Sequence, residues 1–276
     1  MERLELISGN LLPTEQQRCS IPVQELRAVV RVLRQIREFG FQGIEITISG
    51  PDLWQQDRLL EFVDSHDFPV VSLLTGSNYF QEGLCLCSPD EQVRRSAVER
   101  LQHYTSIAAR FDALLVIGQM QGFPRDEPDQ SVAKARIEES LKRITEAAED
   151  RQVTVVLEPV NHLQVGFHHR LQDVLDLTRR IGSNCLRPML DSFHMNIEET
   201  SMTEPILRAG TDLAHFHLCE SNGSLLGSGN LDFPPIFQAL ESTAYAKWIS
   251  VKVYRQPWAR GAEAAVEHLR KLQLIP

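Results

Sequence analysis

The chain has 276 residues, 42% hydrophobic and 24% charged, and carries a net charge of −9 at pH 7. This is ordinary for a folded globular protein with a large core, and the acidic balance argues against nucleic acid or an anionic membrane as partner, since both are gripped by Lys and Arg. No run approaches the ~20 consecutive apolar residues of a membrane helix.

In chain order, the first strand is expected at Leu4–Ile7. A helix follows in PVQELRAVVRVLRQIREFG, opened by Pro22 and closed by Gly40. Strands are read at Gly43–Thr47 and Pro69–Leu74, and an irregular stretch at Thr75–Pro89. The next helix, SPDEQVRRSAVERLQHYTSIAAR, takes Ser88 as its cap, with acids in its first turn. A strand at Ala113–Gly118 precedes a helix beginning at Ser131, and a strand at Thr154–Glu158 precedes RLQDVLDLTRRIG, which stops on Gly182. Strands at Arg187–Asp191 and Leu213–Leu218 lead to a second irregular stretch, Cys219–Phe233. The helix DFPPIFQALEST, a strand at Trp248–Val253 and the helix GAEAAVEHLRKL complete the chain.

The strands are short, rich in Val, Ile and Leu, and show little polar alternation, as strands of a parallel sheet buried on both faces do. Eight strands, each followed by helical sequence, predict an α/β fold: one (β/α)8 TIM barrel spanning 1–276 as a single domain. A doubly wound open sheet would want a glycine-rich loop after the first strand, where SGNLLPTEQQ stands.

Cys19, Cys85, Cys87, Cys185 and Cys219 are odd in number and scattered, so reduced thiols are expected, and Cys85-x-Cys87 has no second pair to complete a zinc site. MERLELISGN lacks the basic start and apolar stretch of a signal peptide. A cytoplasmic location is the expectation.

Three successive strand ends carry metal-type ligands: Glu158 in VVLEPVNH, Asp191 in MLDSFHMN, and His215 and His217 in HFHLCES. Alternation puts both histidines on one face; His217, nearer the C-terminal end, is the better ligand, and His215 reads as a core histidine. One acid at a strand end is ordinarily a cap or ion-pair partner; three ligands on consecutive strand ends of a barrel point to a metal site. Two carboxylates and an imidazole suit one divalent ion, manganese first, with magnesium, cobalt or zinc as the others. Such an ion polarises a hydroxy-ketone's carbonyl, and a nearby carboxylate removes the adjacent carbon-bound proton.

EPVNH, DSFHMNIEE and HFHLCESNGSLLGSGNLDF resemble the signature segments of the xylose-isomerase-like barrels, above all the ketose 3-epimerases and 5-keto-gluconate epimerases. GSNYFQEGLCLCSPDEQVRRSAVERL is similar to the loop and helix after strand three of the latter, so the resemblance runs over nearly the whole chain. It implies Glu158, Asp191 and His217 as metal ligands, Glu158 as an acid–base residue and His194 as a ligand of substrate oxygens. Asn161, His162, Glu220 and Tyr79 are the further candidates for substrate contact, with Tyr79, Phe80 and Leu84 in an apolar lid.

Three positions depart from that family's pattern. Lys252, in WISVKVYR, replaces the fourth ligand and second catalytic glutamate; Asn222-Gly223 stands where Asn-Arg is usual; and Asn161, His162 and Gln164 replace a more basic and acidic segment. The resemblance implies a metal-dependent isomerase or epimerase of a small ketose or keto-sugar acid, working through a metal-stabilised enediolate; Lys252 is the expected second catalytic residue in place of the family's glutamate, either as a base of lowered pKa or as a cation that binds a substrate carboxylate or stabilises an enolate. The departures keep two alternatives open: a metal-enolate lyase or decarboxylase on a sugar acid, or an inactive relative. The expected partner is a small-molecule substrate, and a homo-oligomer is expected by analogy.

Overall fold

The structure, a computed structural model, describes residues 7–8, 34–50, 69–254 and 258–276, with the backbone alone for 7–8 and 258–259. Eight parallel strands in sequence order form a closed barrel: β1 Ile7–Ser8, β2 Gly43–Thr47, β3 Val70–Leu74, β4 Leu114–Ile117, β5 Val155–Leu157, β6 Leu186–Asp191, β7 His215–Leu218 and β8 Ile249–Val251. Pairing of Ser8 with Val251 closes it. The first expected strand lies outside the described residues except for Ile7, and of the expected helix over 22–40 the described part is helical over 34–39.

Besides that segment, the helices among the described residues are α1 Ser77–Glu82, α2 Glu91–Phe111, α3 Gln130–Glu149, α4 Leu171–Ile181, α5 Ser192–Glu198, α6 Glu204–Ala209, α7 Phe233–Ser242 and α8 Trp258–Lys271. One cap differs from expectation, and one helix starts a residue early. Asp90, not Ser88, caps α2 by accepting from Gln92 N, while the Ser88 hydroxyl accepts from Asp90 N. Likewise Asp129 caps α3 through Ser131 N and Val132 N, which puts Ser131 inside the first turn. A carboxylate serves here better than a hydroxyl because it also meets the positive end of the helix dipole. α4 stops at Gly182 in a left-handed conformation, as expected.

Helix stripes cover the barrel. On α2, Ala97, Leu101, Tyr104 and Ala108 recur at helical spacing and are buried. On β7, Phe216 and Leu218 join the layer under the helices, while His215 and His217 point the other way. Val116, Val156 and Met189 form a separate apolar cluster, which strand alternation places inside the barrel, below the polar residues. Among the described residues, no helix is long and apolar enough to cross a membrane.

Register then decides which side chains meet. Asp191 pairs with His217, and His217 with Ser250. Lys252, two residues past Ser250, falls on the same face, and its N–H still bonds Leu218 O. Glu158 follows β5 directly, held by Glu158 N donating to Ile117 O.

Candidate active site

At the C-terminal mouth of the barrel, Glu158, Asp191, His194, His217 and Lys252 converge. His217 Nδ1 lies 3.4 Å from Glu158 Oε1 and 3.5 Å from Asp191 Oδ2. His194 Nε2 lies 3.7 Å and 3.9 Å from the same two oxygens. Glu158 Oε1, His194 Nε2 and His217 Nδ1 are buried and make no hydrogen bond. Buried polar atoms are almost always partnered, so three orphans facing one point mark a place for a further group. The mixed carboxylate and imidazole donors, at mutual distances of 3.4 to 3.9 Å, fit a divalent ion there.

α5 starts on Asp191, whose Oδ1 accepts from Phe193 N, leaving Oδ2 to the cluster and carrying His194 one turn on. Gly118 makes room for Glu158: a Cβ there would lie 2.8 Å from Glu158 Oε2. The Lys252 ammonium is 3.2 Å from Asp191 Oδ2 and 3.5 Å from Glu158 Oε1.

The charges are mutually dependent. Burial opposes ionisation of Glu158, but the Lys252 ammonium, then His217 and His194, hold its pKa down at about 2. Asp191 is lowered against burial by the same groups, Lys252 first. Burial disfavours the charge on Lys252 too, yet Glu158, Tyr254 and Asp191 raise it well above its ordinary value. His217 is raised against burial chiefly by Glu45, whereas burial prevails at His194 and lowers it.

Glu45, on β2, had not been singled out. It is 1% exposed, and its Oε1 accepts from Ser72 Oγ at 2.6 Å, His215 Nε2 at 2.8 Å and His217 Nε2 at 3.1 Å. A lone acid within the apolar strand GIEIT, where alternation turns it inward, was the available signal. His215 is an interior histidine whose Nε2 bonds Glu45, with Ser250 Oγ 2.9 Å away, and whose Nδ1 is buried without a hydrogen bond.

Asn161 lies behind His194, its amide used on both sides: Oδ1 accepts from Leu163 N and Nδ2 donates to His194 Nδ1 at 2.7 Å. His162 is exposed and clamps Glu198 through its ring and its N–H. Glu220 is buried within its own loop, accepting from Ser221 N, Ser221 Oγ, Gly227 N and Leu231 N. The Tyr79 hydroxyl donates to Asp126 Oδ2 and accepts from Arg125, and its ring packs on Phe123; Leu84 is buried and Phe80 faces solvent at 65% exposure. The stretch after β3 is therefore partly helical, as α1, and pinned to the segment after β4. At position 223, where the resembled family usually has arginine, the local backbone disfavours a side chain. Gly223 has φ +67°, and a Cβ there would lie 2.9 Å from the Tyr254 ring. The four described cysteines are free; Cys85 and Cys87 bring their sulfurs to 4.0 Å.

The barrel, with ligating side chains on successive strand ends, defines the class: residues 33–272 match the model of the xylose isomerase-like TIM barrel, and the chain belongs to that family. Its relatives narrow the comparison. D-psicose 3-epimerase of Enterocloster bolteae is 32% identical over 164 residues, covering 58% of this chain and 54% of that protein. L-ribulose 3-epimerase of Methylomonas sp. (strain DH-1) is 31% identical, covering 75% of this chain and 71% of the other. Among solved structures, one of L-ribulose 3-epimerase superposes with a TM-score of 0.80 at 22% identity, over 99% of this chain and 98% of that one.

Proposed function

We propose that the chain is a sugar isomerase or epimerase acting on a small ketose or keto-sugar acid, with a bound divalent ion. The observation that carries this is the convergence of Glu158 Oε1, Asp191 Oδ2, His217 Nδ1 and His194 Nε2, three of them buried without a hydrogen bond. The epimerase relatives support the substrate class.

Glu158, Asp191 and His217 would hold the ion, manganese being the first choice. His217 approaches both carboxylates more closely than His194 does, which favours it as the nitrogen ligand. When bound, the ion polarises a substrate carbonyl and acidifies the neighbouring C–H. Glu158 then takes that carbon-bound proton, leaving an enediolate, and returns it during isomerisation. His194 donates a hydrogen bond to a substrate oxygen. Lys252 neutralises the carboxylates before the ion arrives. Displaced or deprotonated afterwards, it is the second proton carrier that inversion of a carbon requires.

Wild type and His217→Ala are incubated with a panel of ketoses and keto-sugar acids in heavy water, with manganese or chelator, and read by NMR. The expected result is metal-dependent deuterium incorporation and a new epimer or isomer, lost in the variant. Wild-type protein that exchanges no substrate proton, or does so equally in chelator, overturns the proposal. Release of carbon dioxide would replace it with a decarboxylase.

A further inference from the structure

Two histidines, one on β7 and one on α5, face the same two carboxylate oxygens, and each has its other nitrogen occupied. Behind His217 stands Glu45, whose Oε1 is 3.1 Å from Nε2. A carboxylate only accepts, so Nε2 is the protonated nitrogen and Nδ1 is left toward the cluster. Behind His194 stands Asn161. Its Oδ1 is committed to Leu163 N, so its Nδ2 must be the atom facing His194 Nδ1. An amide nitrogen only donates, so Nδ1 accepts, the ring proton sits on Nε2, and an N–H points at the cluster.

We infer that Glu45 and Asn161 are positioning residues that keep a proton on Nε2 of both imidazoles but turn the rings end for end, so that His217 presents Nδ1, a lone pair once the ion displaces its proton, and His194 presents an N–H. The role of Glu45 rests on the divalent-ion reading above; that of Asn161 does not. Near-identical side chains are thereby given different work: His217 is preset to ligate and His194 to bind an electron-rich oxygen. Ser72, with His215 on the same oxygen, anchors Glu45 in turn. Outer carboxylates behind metal-bound histidines typically carry 10- to 100-fold in metal affinity.

The test uses full-length protein with 15N-labelled histidine. Zinc-loaded wild type should show His217 protonated at Nε2 and metal-bound at Nδ1, and His194 protonated at Nε2; this measurement needs no variant. Glu45→Gln should lower manganese affinity at least tenfold while the metal-free melting temperature stays within a few degrees. Asn161→Asp replaces the donor by an acceptor. It should move the His194 proton to Nδ1 and raise KM at least tenfold without lowering manganese affinity. A wild-type His194 protonated at Nδ1, or a Glu45→Gln protein that binds manganese as wild type does, overturns the inference. Wild type that binds no manganese at all instead fails the ion reading, and the role of Glu45 with it, while the His194 arm still decides the role of Asn161.

Discussion

The Lys252 ammonium donates to Asp191 Oδ2 at 3.2 Å and stands over the Tyr254 ring, 5.1 Å from its centroid. It therefore occupies the electrostatic place of a cation among buried carboxylates. Two unit charges of like sign 4 Å apart repel by about 4 kcal/mol at an effective dielectric near 20, and a dication doubles that. Ion and ammonium thus compete. Lys252→Met is expected to raise manganese affinity at least tenfold in calorimetric titration and to cut kcat by at least as much. Lys252→Glu should tighten the ion further by adding a third carboxylate, and with it a fourth ligand. A Lys252→Met protein with normal turnover removes the lysine from the chemistry.

Gly118 controls the attitude of Glu158. A methyl at 118 would come within 2.8 Å of Glu158 Oε2 and 3.2 Å of Val160 Cγ2, so the carboxylate must turn away. Gly118→Ala is expected to weaken manganese binding about tenfold, equivalent to about 1.4 kcal/mol, with little change in melting temperature. Unaltered binding and turnover would mean that the Glu158 carboxylate adjusts freely.

Glu220 separates a loop-building role from a substrate-binding one. Its two oxygens accept four donors of its own loop, and a Cβ on Gly229 would lie 2.4 Å from Oε1. Glu220→Ala leaves several of those donors unsatisfied. It should cost about 2–4 kcal/mol in urea unfolding, with faster proteolysis between 221 and 231. A raised KM with unchanged stability would instead return Glu220 to the substrate.

His168 predicts a pH dependence of stability. The ring is 4% exposed, and Nδ1 meets Gln121 Oε1 at 2.9 Å, while Gln121 Nε2 donates to Glu158 O. Burial, with Lys134 second, pushes its pKa down from 6.5 to about 4. Below pH 6.5 the unfolded chain takes up a proton that the folded one refuses. Stability is therefore full above pH 6.5 and is lost as the pH falls toward 4, by about 3 kcal/mol at most. His168→Asn, which tolerates the φ of +53° at this position, should flatten the urea-midpoint profile over that window. A profile identical to wild type would assign the acid loss to other groups.

The barrel was legible along the chain because parallel strands buried on both faces leave apolar runs, and amphipathic stretches such as 91–111 must cover them. Glu158, Asp191 and His217 stood out for the same local reason: each ends or follows a strand, and strand ends of a barrel share one rim. What local pattern does not carry is the partner across the barrel. Glu45 lies 172 residues before His217 in sequence, and only closure of the barrel sets it, bonded to Ser72 of β3, against the His217 ring. Asn161, Glu220 and His162 have polar side chains beside the right strands, yet hydrogen bonds to Leu163, to the 221–231 loop and to Glu198 claim them. Residue type and spacing determined which groups stand at the rim. Closure of the barrel decided which atoms are left without a partner there, because a buried donor or acceptor is spoken for wherever a neighbour, however distant in sequence, can reach it.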